Sequence, residues 1–300
     1  MRAIPVAPMQ QARSHFGSAV HNGKLYVFGG GGADFQSLDS VEMYDPASDR
    51  WERRAPMSSH RSGIACATVG DRIYVMGGGF KRPDGTFDFK SIVEAYLPDQ
   101  DRWEPAPSLI MRHDAPAATV VNGDVFLFGG HHPDADGGPL TDPAFDFCER
   151  LPGGAHEWGK LEAMPTARFS LCAVPMPDGI WVMGGGAYQD GTFRNLDTIE
   201  VYDPLGGVWG TAPTPLPWAA AGLYADVHHG FLHVAGGNED GAITPRHARW
   251  TGNAWEELPD LPEPRVMGVM ASTGDALLIA GGRVADGKTV TEVVWRVETA

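Results

Sequence analysis

Six short apolar runs in this chain end in the same dipeptide, Gly-Gly. They are Leu-Tyr-Val-Phe-Gly29-Gly30, Ile-Tyr-Val-Met-Gly77-Gly78, Val-Phe-Leu-Phe-Gly129-Gly130, Ile-Trp-Val-Met-Gly184-Gly185, Val-Ala-Gly236-Gly237 and Ile-Ala-Gly281-Gly282. Successive first glycines lie 48, 52, 55, 52 and 45 residues apart. A period near fifty is the mark of an array of like units, so one closed array can occupy the 300 residues that would otherwise suggest two domains.

The first unit sets the pattern. Ser18-Ala-Val leads into His21-Asn22-Gly23, a turn signal, and then into the run ending at Gly29. A Gly-rich loop follows. Val41–Tyr44 is a strand stopped by Pro46, and Trp51 opens a last strand running toward Met57. Four short strands without a helix-period segment, six times over, predict an all-β, six-bladed propeller with four antiparallel strands per blade. The blades fall at about 10–57, 58–109, 110–164, 165–216, 217–261 and 262–300. The sixth unit lacks a fourth strand. Residues 1–9, ending Ala-Pro-Met9 like Ala-Pro-Met57, are expected to supply it and close the ring as one domain over 1–300. Ala3 stands there where other units place Trp51, Trp103, Trp158, Trp209 or Trp255, so that seam is expected to be the weakest joint.

Composition narrows the function. A net charge of −15 argues against nucleic-acid or anionic-membrane surfaces. Cys66, Cys148 and Cys172 show no metal-type spacing and fit small buried side chains. The N-terminus has no apolar signal region, and a cytoplasmic monomer is expected. No cofactor is expected, with a divalent metal as the alternative discussed below.

Gly-Gly, Tyr44, Tyr96 or Tyr202 seven residues before a Trp, then Pro-Met and Arg, resembles the kelch repeat over essentially the whole chain. The resemblance implies a propeller. It leaves function open, since such propellers include protein-binding adaptors, sugar-acid mutarotases, metal-dependent plant specifier proteins and copper-radical oxidases.

Departures between units suggest where function was grafted. Sixteen residues before each first glycine stand Arg13, Arg61, His113, Arg168, Ala220 and Arg265. The resemblance implies that arginines here face the channel mouth and contact acidic peptides. Arg13, Arg61, Arg168 and Arg265 are therefore candidates to hold an anionic small molecule or acidic peptide. The competing structural role pairs them with Glu42, Glu94, Glu200 and Glu292, with Glu149 opposite His113. The unit that loses its arginine, at Ala220, also loses its glutamate, to Arg246.

Unit three carries His113-Asp114 and, after its glycines, His131-His132-Pro-Asp134-Ala-Asp136. His113 and His131 are expected at one rim, where His113, Asp114 and His131 are candidate acid–base groups and His113, His131 and His132 candidate metal ligands. Unit five puts Trp218 two positions before Ala220, either to stack on a ligand or to plug the space. The leading expectation is an anion-binding module. The alternative is an enzyme, a mutarotase-like isomerase or a metal-dependent lyase.

Overall fold

A computed structural model describes residues 2–131, 144–189 and 192–298. Six four-stranded antiparallel sheets form the ring, as expected from the repeat. The first blade comprises Gly17–His21, Lys24–Phe28, Val41–Asp45 and Arg50–Arg54, from the axis outward. In the sixth, Val269–Ser272, Leu277–Ala280 and Val294–Glu298 are joined by Arg2–Val6. That strand pairs from Arg2 opposite Glu298 to Val6 opposite Val294. The N-terminal residues thus complete the last blade. Closure leaves no open end of the array.

Two-sided burial explains why the second strand of a blade is an apolar run, broken only at His233 in the fifth among the described residues. Leu25 and Val27 pack toward the sixth blade, against Leu278 and Ala280. Tyr26 and Phe28 pack toward the second, against Ile73, Val75 and Tyr96. A strand buried on both faces cannot alternate polar with apolar residues.

The last-strand tryptophans stitch each blade to the one before. Nε1 of Trp51, Trp103, Trp158 and Trp209 donates to the carbonyls of Ala7, Ala55, Pro107 and Glu162, at 2.8, 3.0, 2.8 and 3.1 Å. The Ala7 amide in turn donates to the Asp49 carboxylate. Trp255 Nε1 is buried and has no partner among the described residues. The N-terminal strand is therefore well fastened to the first blade, although Ala3 contributes only a partly buried methyl to the cluster between blades five and six.

The glycine pairs form the inner joint. The second glycine's N–H donates to the next blade: Gly30 to the Arg61 carbonyl, Gly78 to His113, Gly130 to Arg168, Gly185 to Ala220, Gly237 to Arg265 and Gly282 to Arg13. The first glycine lies under the same carbonyl. A Cβ at Gly236 would sit 2.5 Å from the Arg265 oxygen, and φ is +65°. Two residues beyond each accepting carbonyl lies a further ring. The amides of His15, Gly63, Ala115, Ser170, Gly222 and Met267 each donate to the carbonyl of the corresponding residue one blade back, at 2.7–3.0 Å, and the chain of bonds closes on itself. All six residues have left-handed φ, between +51° and +66°, including the non-glycines at His15, Ala115, Ser170 and Met267. Such conformers persist only where their surroundings fix them. This ring narrows the Gly-Gly end of the channel. Beneath it, a cavity of about 210 Å³ is lined largely by small residues of the innermost strands.

The joint gives a direct test. Gly70 also has positive φ (+59°), but a Cβ there meets nothing within 4 Å. Gly70→Ala is expected to cost about 1–2 kcal/mol, the price of left-handed backbone alone. Gly236→Ala adds a backbone clash and is expected to cost about 3 kcal/mol or more. Denaturant midpoints of the two variants measure the difference; equal losses would contradict the joint.

Candidate functional site

The arginine positions turn inward. Arg13, Arg61, Arg168 and Arg265 are fully buried. Each sends Nη1 to the first-glycine carbonyl of its own blade, at 2.7, 2.8, 3.1 and 3.0 Å from Gly29, Gly77, Gly184 and Gly281. Nη2 meets a carboxylate: Glu42 and Glu94 at 2.5 Å and Glu200 at 3.0 Å. Burial lowers the pKa of the Arg13, Arg61 and Arg168 guanidiniums, and the adjoining carboxylates act in the opposite direction. Arg265 pairs with Glu263 at 2.5 Å rather than with Glu292, and its guanidinium covers the Trp295 ring at 4.4 Å. These four side chains do not line an open mouth. They tie the segment entering each blade to that blade's second strand and, in the first, second and fourth, to its third.

His113 and Trp218 occupy the same joint. His113 is fully buried, with Nδ1 at 2.6 Å from the Gly129 carbonyl and Nε2 at 3.0 Å from Glu149. Trp218 is 5% exposed and donates Nε1 to the Gly236 carbonyl at 3.1 Å. It plugs the space over Ala220 rather than offering a stacking face, and Arg246 covers its ring at 4.8 Å. All six blades therefore place one N–H donor on the first-glycine carbonyl, using three residue types.

Asp114 and His131 do reach the mouth, where Nδ1 lies 2.9 Å from Asp114 Oδ2 and the imidazole is 25% exposed. His131 stacks on Phe169, centroids 4.1 Å apart. His113 points away into the joint, so the expected His113–His131 pair is not formed. His132, Asp134 and Asp136 lie outside the described residues. Among the described residues, no three His, Cys, Asp or Glu side chains gather as metal ligands.

The residue immediately after each glycine pair decides what the mouth presents. It is Gly31, Gly79 and Gly186 in three blades, and His131, Asn238 and Arg283 in the others. Each pairs in a short bridge with Ser14, Ser62, Asp114, Phe169, Ala221 or Val266. Reading this column through unit six was the available signal for Arg283, which the arginine column hid. The Arg283 guanidinium lies 3.7 Å over the Phe35 ring. Nε donates to Ser14 Oγ at 3.4 Å and Nη1 to the Gly287 carbonyl at 3.2 Å. Nη2 makes no hydrogen bond or ion pair among the described residues. Beside it, His15 is held neutral, its pKa pushed down to about 3 by burial and, secondarily, by the neighbouring Arg283 charge. Arg283, His15, Phe169, Phe193 and Asn238 share one cavity of about 260 Å³.

Two His113 variants separate joint from mouth. His113→Ala strands the buried Glu149 carboxylate and is expected to cost about 3–5 kcal/mol. His113→Arg restores the pairing of the other blades and is expected to keep most of the stability. Urea titration distinguishes them; a neutral His113→Ala would refute the structural assignment.

Comparison with known proteins agrees with this architecture. A family model described as the Kelch motif matches residues 12–58 and 60–110. Human Kelch-like protein 34 is 30% identical over 78% of this chain and 34% of its own length. Kelch-like protein terF of Aspergillus terreus is 25% identical over 97% of this chain and 65% of its own. The chain spans about a third of the length of the human relative. The solved structure of YjhT superposes with a TM-score of 0.78 at 20% identity, covering 97% of this chain and 96% of that one. Repeated motif, ring and matches agree: the chain is a six-bladed β-propeller that carries kelch motifs.

Proposed function

We propose that this protein is a binding module that captures a carboxylate-bearing ligand at the Gly-Gly side of the ring, with Arg283 as the anchor. The observation that carries the reading is the Arg283 side chain. It is half-buried and held over Phe35, with Nη2 left without a partner among the described residues. A guanidinium oriented by stacking and by two of its own hydrogen bonds loses little freedom on meeting a carboxylate. Arg13, Arg61, Arg168 and Arg265, the anchors suggested by sequence, are engaged in the joints instead. The net charge of −15 opposes an anion at long range. Charges farther away than about 8 Å are screened at physiological salt, so the local guanidinium dominates at contact.

One observation favours a second reading, an isomerase of the mutarotase kind. The His131–Asp114 pair at the mouth can hold and pass a proton. Exchange spectroscopy on a keto-sugar acid would reveal faster anomer interconversion, lost in His131→Ala; a rate equal to that without protein rules this reading out.

For the binding reading, an acidic peptide array and a panel of free carboxylic acids should be screened by calorimetry. Ligands found this way are expected to bind Arg283→Gln at least about tenfold more weakly and Arg283→Lys at an intermediate level. His15, with a pKa of about 3, is expected to contribute no change in affinity between pH 6 and 9. Unchanged affinity in Arg283→Gln rejects the anchor.

A further inference from the structure

We infer that the cavity beside Arg283 takes a small monocarboxylate carrying a planar, ring-bearing apolar body. This inference rests on Arg283 as the carboxylate anchor and specifies what must accompany the acid group.

The polar end of the cavity offers a matched pair of donors. Asn238 accepts the Gly241 amide on Oδ1 at 2.9 Å, which fixes the side-chain amide with its NH2 group available. Asn238 Nδ2 has no partner among the described residues, like Arg283 Nη2. Both residues line the cavity, so both donors are open to a carboxylate held there. A second charge is unwelcome. His15 is neutral, and Asp286, also lining the cavity, is held ionised by the hydroxyl and amide of Thr289 and the amide of Lys288, its pKa pulled down to about 2. A dianion such as phosphate would meet one cation and a fixed negative charge.

Much of the remaining lining is apolar, and two phenylalanine rings belong to it. Phe169 is fixed by its stack on His131, and Phe193 leans on it with centroids 6.2 Å apart. Phe193 is 43% exposed, a large ring face left open at the cavity. Ile243 and Met267 of the left-handed ring also line the cavity. About 260 Å³ is near the lower end of ligand pockets and leaves room for one ring with a short acid chain. Aromatic faces reward a planar partner beyond the area buried. Propionate would use only the donors, and a neutral arene only the walls.

Saturation-transfer NMR and calorimetry with four probes test this: 3-phenylpropionate, 3-phenylpropionamide, propionate and inorganic phosphate. The expected result is that 3-phenylpropionate binds at least about tenfold more tightly than the amide or propionate, and that phosphate does not displace it. Phe193→Ala and Asn238→Ala are each expected to weaken 3-phenylpropionate about five- to tenfold, with melting curves unchanged because neither side chain is in a core cluster. Phe193→Leu, which keeps bulk but removes the flat face, is expected to fall between. If 3-phenylpropionate binds no better than propionate, or ignores Phe193→Ala, the inference is overturned, while Arg283-dependent binding of propionate would leave the anchor standing. If no carboxylate binds, both are overturned.

Discussion

Everything at the mouth rests on a closed circuit of backbone hydrogen bonds. Six amides, from His15 round to Met267, each donate to the preceding blade, and all six residues accept a left-handed conformation to do so. A single unit cannot make this arrangement, because donor and acceptor always belong to different blades. The glycine pairs serve the same end. They let one blade's turn lie directly against the next blade's carbonyl, where any Cβ would collide. Hydrophobic packing between blades supplies bulk stabilisation, but these bonds fix the angular register that places the loops.

The repeat was legible because its landmarks keep constant offsets within each unit of about fifty residues, and these carried the blade count and the role of residues 1–9. The direction of the arginines was not legible. Linear spacing shows that Arg13 and Arg61 are equivalent, and not whether their guanidiniums turn outward or inward. The one available hint was the joint loss of arginine and glutamate at Ala220 and Arg246, which marks a pair rather than a ligand site. The left-handed ring left no trace at all. Its positions hold His, Gly, Ala, Ser, Gly and Met, since a shared backbone conformation held by neighbouring strands asks nothing common of the side chains. Arg283 was visible in principle, in the column that singled out His131, but was masked by four other arginines in a column that proved to be internal.

The joint and the mouth answer to different demands. In the joint, an arginine, a histidine and an indole each deliver one N–H to a glycine carbonyl, so chemistry varies while geometry is kept. In the mouth, three of six equivalent positions are glycine and present only backbone. The other three carry His131, Asn238 and Arg283, with aromatic rings from neighbouring loops around them. Side-chain variety is therefore concentrated at a few points of a common floor, the arrangement that allows a rigid scaffold to host different chemistries.

The closed circuit also limits how recognition can operate. A ring whose members are bonded head to tail cannot hinge open at one blade without breaking two of its six links and releasing two left-handed residues. The mouth is thus a fixed-diameter socket. Discrimination among ligands must be written in the side chains and loops mounted on it, and a change of ligand can be made by exchanging those fittings while the frame beneath stays the same.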